Sequence, residues 1–225
     1  MTKIEQQSSD EGFKDSETSA AYLPKIGVLA IQGNFASHSE ALTEAGAYPV
    51  LVKTPQDLCL DGQSRRDGES QSLDGLILPG GESTTMLRFL ERHGFFEALQ
   101  AFCVEKPVFG TCAGAILLSR EVLNPAQRSL GLLDAVVERN AYGRQIDSAI
   151  VSAETSLPGG PLEMVFIRAP RFVKIGAGVE TLARRDGFPV LVRQGRLMAA
   201  TFHPELSNDR RVHRLFVEIA AKARK

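Results

Sequence analysis

The sequence predicts a three-layer α/β fold, in which helices cover both faces of a doubly wound, mostly parallel sheet with a small antiparallel extension. Short apolar runs alternate with amphipathic stretches in the first half of the chain, as expected of βαβ units. The first run, KIGVLAI, lacks polar alternation, which is typical of a strand buried on both faces. The second half contains several short apolar runs with few helical stretches between them, which favours the antiparallel extension.

Composition narrows the function classes. The 225 residues suit one α/β domain, and the apolar fraction of 43% allows a core of normal size. A net charge of −1 without a long basic run argues against nucleic acid or an anionic membrane as partner. Three cysteines without a C-x-x-C pair predict neither a disulfide framework nor a zinc site, and no cofactor is expected. With no apolar run long enough to cross a bilayer and no secretory signal, a cytoplasmic location is expected.

The chain is expected to contain one folded unit with a tail. Residues 1–24 are polar and cannot bury enough apolar area to offset the entropy of ordering, so they are predicted to be disordered. Residues 25–225 are predicted to form the domain. Residues 61–72, DGQSRRDGESQS, have the composition of an inserted surface loop.

Apolar runs and helix signals define the elements of the first half. Ser37 and Glu40 have capping-box spacing, Gly46 can end the helix that follows, and Pro55 suits the first position of a short helix. Strands are expected at residues 25–31, 49–53, 74–78 and 107–109, and further helices at residues 83–93, 95–104 and 113–120.

Strands dominate the expected second half, and one helix closes it. Val212, Leu215, Phe216 and Ile219 have helical spacing, which predicts an amphipathic helix over residues 208–222. The expected strands cover residues 132–138, 145–153, 164–168, 190–193 and 197–202.

Residues 110–114, GTCAG, carry the strongest chemical signal. They follow a predicted strand and precede a predicted helix, and the spacing G-x-C-x-G is that of a nucleophile elbow. Because a helix N-terminus favours a thiolate, Cys112 is the candidate nucleophile. The N–H of Ala113 would then point toward an oxyanion beside the sulfur. Taken alone, the motif is equally compatible with a small buried cysteine in a tight turn.

A cysteine nucleophile needs a base, and His203 is the candidate. It ends the strand predicted for residues 197–202 and is followed by Pro204 and Glu205. Residues two apart in an extended segment point to the same side, so Glu205 could orient the imidazole and fix its tautomer. A histidine bonded to a loop is the alternative when His203 is considered alone.

The other histidines and cysteines are interpreted as structural. His38 is expected in the first turn of a helix, His93 near a helix end and His213 on a solvated helix face. Cys59 and Cys103 lie on predicted helices without flanking glycines, which is typical of packing residues.

A glycine-rich loop, PGGES, precedes the helix predicted from Ser83. Consecutive glycines let backbone N–H groups approach a ligand closely, so the N–H of Gly81 is a candidate second oxyanion donor. The loop lacks the lysine of a phosphate-binding P-loop, and no dinucleotide motif follows a strand. A helix cap formed by Ser83 is an equally open interpretation.

In this order, the motifs resemble those of class I, triad-type glutamine amidotransferases. In particular they resemble the glutaminase subunit of the ribose-5-phosphate-dependent pyridoxal 5′-phosphate synthase. The resemblance extends from about Lys25 to Lys222. It is carried by residues 27–33 (GVLAIQG), 78–85 (LPGGESTT), 109–114 (FGTCAG), 136–140 (VVERN), 143–145 (GRQ) with Asp147 and Ser148, 166–170 (FIRAP) and 202–206 (FHPEL).

The resemblance implies a flavodoxin-like fold with Cys112, His203 and Glu205 as catalytic triad, no metal and no cofactor. Gly81 and Ala113 would supply the oxyanion hole. Glutamine carries an α-carboxylate and an α-ammonium, so its site needs fixed charges and backbone dipoles. A structural ion pair is the alternative role for Arg168. The positions that match glutamine-binding residues are Gly81, Glu82, Ser83, Arg139, Ile167 and Arg168.

The implied activity is hydrolysis of L-glutamine to L-glutamate and ammonia through a glutamyl thioester. The implied partner is the synthase (lyase) subunit, which would receive the ammonia within a hetero-oligomer and build pyridoxal 5′-phosphate. Three alternatives remain: the glutaminase of imidazole glycerol phosphate synthase, an α/β cysteine peptidase, and a catalytically silent binding module on the same fold.

Overall fold

The computed structural model describes residues 22–58, 72–141 and 148–224. The predicted disordered tail and the insertion at residues 61–72 lie almost wholly outside these ranges. Cys59 and residues 143–145 lie outside them as well.

Twelve strands and five α-helices lie within the described ranges, together with two 3-10 turns at Pro55–Leu58 and Pro204–Leu206. The strands are β1 (Lys25–Leu29), β2 (Tyr48–Val52), β3 (Gly75–Leu78), β4 (Val108–Thr111), β5 (Ser119–Leu123), β6 (Leu133–Glu138), β7 (Ser148–Ala153), β8 (Leu162–Ile167), β9 (Arg171–Ile175), β10 (Glu180–Arg185), β11 (Phe188–Gln194) and β12 (Leu197–Ala200). The helices are α1 (Phe35–Glu44), α2 (Ser83–Arg92), α3 (Phe95–Glu105), α4 (Ala113–Leu118) and α5 (Arg211–Ala223).

Seven strands form the main sheet, in the order β10-β11-β12-β4-β3-β1-β2. The pairs from β12 to β2 are parallel, whereas β10 and β11 add to one edge as an antiparallel extension. A smaller sheet has the order β5-β6-β9, and β7 pairs with β8 as a hairpin. The predicted doubly wound, mostly parallel fold with an antiparallel extension is confirmed.

Side chains of the central strands alternate between two core layers. In β3, Leu76 and Leu78 face the cluster formed with α2, α3 and α4, whereas Ile77 faces the cluster formed with α1 and α5. All three are fully buried. Burial of each such side chain stabilises the fold by roughly 1.5–3 kcal/mol, so the continuous apolar run of a parallel strand specifies both layers together.

The first helix begins earlier than its sequence signal indicated. The predicted capping box is wrong, because α1 starts at Phe35 and the Ser39 hydroxyl donates to the Phe35 carbonyl from inside the helix. The predicted end is confirmed. Gly46 has φ +83°, and the N–H of Ala47 donates to the Leu42 carbonyl at 2.9 Å, which is the bonding of a Schellman cap.

Three strands were not predicted. The helix expected to reach residue 120 ends at Leu118, and Ser119–Leu123 forms β5. β9 and β10 were also missed, since charged residues interrupt their short sequences, RFVKI and ETLARR. These strands are specified by pairing with β6 and β11 rather than by an apolar run.

Close packing between β3 and α4 depends on Gly114. A Cβ at this position would overlap the backbone carbonyl oxygen of Leu78. A Cβ on Gly110 would lie 2.5 Å from the carbonyl carbon of Gly114. The two glycines therefore allow the turn between β4 and α4 to sit directly against its neighbours.

We expect Gly114→Ala to lower the free energy of unfolding by about 1–3 kcal/mol or more, because the added methyl group forces backbone atoms apart. Urea denaturation followed by circular dichroism measures this change. Gly178→Ala is the matched control, since that glycine is exposed and a Cβ there would meet no atom within 4 Å. Equal stability of Gly114→Ala and wild type would contradict the close packing of β3 on α4.

Candidate active site

Cys112 occupies a strained turn between β4 and α4. Its φ of 47° and ψ of −102° lie outside the conformations that side-chain-bearing residues favour. Its N–H donates to the Ala200 carbonyl at 2.8 Å, and its carbonyl accepts from the N–H of Ile116 at 3.1 Å. Hydrogen bonds on both sides hold the strained conformation in place. The predicted strand–elbow–helix arrangement at Cys112 is therefore found in the structure.

The glycine-rich loop after β3 lies directly against Cys112. A Cβ on Gly80 would lie 2.5 Å from His203 Cε1 and 3.4 Å from Cys112 Cβ, so only glycine lets the loop come this close. Gly81 has φ +145°, another conformation that favours glycine. Gln32, to which the sequence analysis assigned no role, holds this loop because its side-chain amide donates to the Glu82 carbonyl at 2.7 Å.

Ala113 is the first residue of α4, and its N–H is among the N-terminal groups of a helix that have no intrahelical acceptor. Its side chain is fully buried, so only its backbone can serve the site. Ala113 and Gly81 follow β4 and β3, which are neighbouring strands of the sheet. One predicted oxyanion donor thus lies at the start of α4 beside the thiol, and the other lies on the loop after β3.

His203 meets Cys112, as the sequence predicted. The two side chains line the same cleft and interact electrostatically, and His203 Nδ1 donates to Glu205 Oε1 at 2.8 Å. The predicted reason for the second contact is wrong, because β12 ends at Ala200 and does not reach His203. The 3-10 turn Pro204–Leu206 brings Glu205 under the imidazole instead. The N–H of His203 also donates to the Val165 carbonyl of β8 at 2.8 Å, which fixes the backbone before this turn.

Electrostatics favour the charged form of His203. Burial acts to lower its pKa, but hydrogen bonds and charge attraction from Cys112 and Glu205 outweigh burial and raise the pKa to about 10. Burial acts to raise the pKa of Glu205, yet interactions with His38 and His203 leave it below its usual value. An imidazolium that persists at neutral pH can donate a proton to a leaving group.

Two further histidines lie behind Glu205, and both were predicted to have structural roles only. His38 lies in the first turn of α1, as predicted, but it is fully buried, with Nε2 3.4 Å from Glu205 Oε2. The prediction for His213 is wrong, because this residue is fully buried and its Nε2 lies 3.1 Å from His38 Nδ1. α5 packs on both the sheet and α1, so its buried face is wider than the apolar spacing indicated.

The predictions for the remaining cysteine and histidine are confirmed where the structure describes them. Cys103 is buried in α3, and burial raises the pKa of its thiol to about 12, as expected of a packing residue. His93 caps the C-terminus of α2 and is exposed.

A cleft of about 340 Å³ opens in front of Cys112 and His203. All six residues predicted to bind glutamine line it, whereas Glu205 lies behind His203 and does not. The cleft-lining residues to which the sequence analysis assigned no role are Gly33, Asn34, Ile116, Asn140 and Pro170.

Opposite charges lie side by side in this cleft. Arg139 Nη2 donates to Glu82 Oε1 at 3.1 Å, and Arg139 Nη1 is buried without a hydrogen-bond partner among the described residues. Burial acts to raise the pKa of Glu82, but hydrogen bonds from the Thr84 hydroxyl and from the N–H groups of Thr85 and Thr84 lower it to about 2. These bonds make Glu82, rather than the predicted Ser83, the N-cap of α2.

The alternative role of Arg168, a structural ion pair, is not seen among the described residues. It is exposed, has φ +42° and forms no ion pair with another described residue.

Within residues 22–58, 72–141 and 148–224, no group of three or more His, Cys, Asp or Glu side chains could hold a metal ion. None of the helices in those ranges has the length and apolar character needed to cross a membrane.

The raised pKa of His203 depends on Cys112, so we expect Cys112→Ala to lower it from about 10 toward the ordinary value of 6.5. Burial, which opposes the charge, would then be balanced by Glu205 alone. The pH titration of the imidazole signals by ¹H–¹⁵N NMR measures this shift, and the exposed His93 provides an internal reference. A His203 pKa that is the same in both proteins would contradict the interaction with Cys112.

Comparison with known proteins connects this geometry to a family. The model of the SNO glutamine amidotransferase family matches residues 28–222. The pyridoxal 5′-phosphate synthase subunit PdxT of Koribacter versatilis is 55% identical over 195 residues, which cover 87% of this chain and 95% of that protein. The subunit of the same name from Thermotoga maritima is 47% identical over 201 residues, which cover 87% and 98%.

Solved structures agree with the sequence relatives. A crystal structure of a glutamine amidotransferase has a TM-score of 0.76 and 44% identity, and the match covers 87% of this chain and 98% of that one. The structure of PurLQS from Thermotoga maritima, at 16% identity and a TM-score of 0.60, shares the fold over 91% of this chain and 100% of its own. The chain belongs to the SNO glutamine amidotransferase family.

Proposed function

We propose that this chain is the glutaminase subunit of a pyridoxal 5′-phosphate synthase. It hydrolyses L-glutamine to L-glutamate and ammonia, and it delivers the ammonia to a synthase (lyase) subunit in a hetero-oligomer. The observation that carries the proposal is that Cys112 and His203 line one cleft that suits an amino acid, while Glu205 bonds to the Nδ1 of the same imidazole. The names of relatives at 44–55% identity support the choice of acceptor over imidazole glycerol phosphate synthase, a peptidase or a silent module.

The proposed chemistry follows from the positions of Cys112, His203 and Glu205 relative to one another. The Cys112 sulfur attacks the side-chain amide carbon of glutamine, and the N–H groups of Ala113 and Gly81 stabilise the tetrahedral oxyanion. His203 gives its proton to the amide nitrogen, so the C–N bond breaks, ammonia leaves and a γ-glutamyl thioester remains. His203 then takes a proton from water, which attacks the thioester carbon and releases glutamate with the thiolate. Glu205 keeps the imidazole in one orientation throughout.

Charge complementarity supports the proposed glutamine site. Arg139 supplies a positive charge for the α-carboxylate of glutamine, and the ionised Glu82 carboxylate can accept from its α-ammonium group. Arg139 and Glu82 are already hydrogen-bonded to each other at 3.1 Å, so both charges are oriented before substrate arrives. Gly81, Ser83, Ile167 and Arg168 complete the proposed site through the backbone and the walls of the cleft.

The proposal includes a cytoplasmic location. It also includes a single domain that has a disordered tail over residues 1–24 and a surface insertion at residues 61–72. Cys103 and Cys112 are both free thiols, which suits a reducing compartment.

We expect Cys112→Ala to lower the rate of glutamate release by about 10⁴-fold or more, because the nucleophile is lost. Glu205→Gln should slow turnover by on the order of a hundredfold or more, while the fold survives. Glutamate and ammonia are measured in the presence of the synthase subunit. Cys103→Ala is the control, since that cysteine lies in the core and outside the cleft. Turnover by Cys112→Ala at a rate near that of the control would rule out the proposed nucleophile.

The acceptor is tested by co-purification. We expect the tagged chain to retain the pyridoxal 5′-phosphate synthase subunit, and not the imidazole glycerol phosphate cyclase subunit, from the organism's own extract. Added synthase subunit should then raise glutaminase activity above the rate of the chain alone. Retention of the cyclase subunit, or an equal rate with and without the synthase subunit, would contradict the proposed partner.

A further inference from the structure

The second carboxylate oxygen of Glu205 lies in a pocket of histidines. Glu205 is only 3% exposed, and its Oε1 accepts the Nδ1–H of His203 at 2.8 Å. Oε2 has no hydrogen-bond partner among the described residues, and His38 Nε2 lies 3.4 Å from it. A buried carboxylate can rotate about its terminal torsion unless both oxygens are held. The group that faces Oε2 therefore decides whether Oε1 stays directed at His203.

His38 is held at both of its ring nitrogens. Nε2 also lies 3.1 Å from the hydroxyl oxygen of Thr111, the residue before Cys112, and Nδ1 lies 3.1 Å from His213 Nε2. Because His38 is fully buried, neither contact competes with solvent. His38 thus connects the elbow of the nucleophile with the carboxylate that orients the base.

The partners fix the positions of the protons. His213 Nδ1 is buried without a hydrogen-bond partner among the described residues, so it is best left unprotonated, since a buried N–H without an acceptor is costly. His213 then carries its proton on Nε2 and donates to His38 Nδ1. His38 in turn carries its proton on Nε2, which faces Glu205 and Thr111.

Both histidines are neutral at physiological pH. Burial lowers the pKa of His38 to about 4 and that of His213 to about 3. The charged groups that act on the pair are Glu205, which favours the protonated forms, and His203 and Arg210, which oppose them. A neutral donor can hold the carboxylate without cancelling the negative charge that stabilises the imidazolium of His203.

We propose that His38 is a positioning residue of the glutaminase reaction: fixed by His213, its Nε2–H holds Glu205 Oε2 so that Oε1 stays directed at His203 Nδ1. The inference rests on the proposed function. Packing alone is the competing explanation, since His213 also lies near the rings of His38 and Phe109. A packing role depends on the shape of the side chain, whereas a positioning role depends on a donor at the place of Nε2.

Two neutral polar variants separate these explanations. The amide of His38→Gln reaches the place of Nε2 and keeps a donor toward Glu205, whereas the shorter His38→Asn reaches only the place of Nδ1. In the complex with the synthase subunit, we expect His38→Asn to lower kcat about ten- to hundredfold with KM within about twofold, because the donor that faces the carboxylate is lost. His38→Gln should recover most of kcat. His93→Asn, at the exposed C-cap of α2, is the control and should match wild type.

An NMR measurement tests the geometry without turnover. Wild type should show a far-downfield proton signal for His203 Nδ1–H, which is bonded to Glu205. The signal should persist in His38→Gln and shift upfield or broaden away in His38→Asn. Should His38→Asn fail to fold, His213→Leu replaces it, and this variant should lower kcat and move the same signal because it frees the tautomer of His38.

The outcomes distinguish this inference from the proposed function. Wild type that does not hydrolyse glutamine even with the synthase subunit would refute the proposed function, and the NMR signal would then decide the role of His38 alone. Active wild type with equal kcat and an unchanged Nδ1–H signal in His38→Asn, or in His213→Leu where it replaces that variant, would overturn the inference. Equal losses in His38→Asn and His38→Gln would also overturn it, because shape rather than the donor would then matter.

Discussion

The parallel register of β3, β4 and β12 is the constraint on which the candidate site depends. Leu78 pairs with Gly110, and Thr111 pairs with Ala200, so the three strands end at one edge of the sheet. The glycine loop, the elbow and the segment that carries His203 leave the sheet together. In open α/β sheets, the carboxyl ends of neighbouring strands form the crevice in which ligands bind. A shift of one residue in this register would turn every side chain of a strand to the opposite core layer, so packing of both layers protects the site.

Two pairs of opposite charge lie one behind the other, from the open cleft toward the core. At the open end, Glu82 and Arg139 hold each other within the cleft, where an amino acid can exchange with that pair. Behind them lies the buried pair of His203 and Glu205. Such a pair is tolerated because each ion is hydrogen-bonded. The neutral imidazole of His38 lies next to the pair and adds no third buried charge. The charged side chains of the candidate site therefore lie in the cleft and directly behind it.

The sequence predicted the fold and most of the candidate site where a local pattern decides the outcome. Continuous apolar runs identified the parallel strands, whereas β5, β9 and β10 were missed because pairing partners specify them. His213 was placed on a solvated face, since helical spacing identifies the most apolar stripe but not a second buried side. The contact between His203 and Glu205 was predicted for a reason that proved wrong, because a turn, not a strand, brings them together. The roles of residues 1–21, 59–71 and 142–147 stay predictions.

Glycine motifs predicted the site more reliably than polar residues because steric exclusion leaves few alternatives. A Cβ on Gly80 or Gly110 would meet a neighbouring atom at 2.5 Å, so the backbone around Cys112 closes only where these side chains are absent. A histidine, by contrast, can cap a helix as His93 does, pack in a core or hold a carboxylate, and its sequence neighbours look alike in each case. The position of Cys112 is therefore encoded locally. The side chains behind Glu205 are encoded only in the assembled fold, where α1 and α5 bring His38 and His213 together.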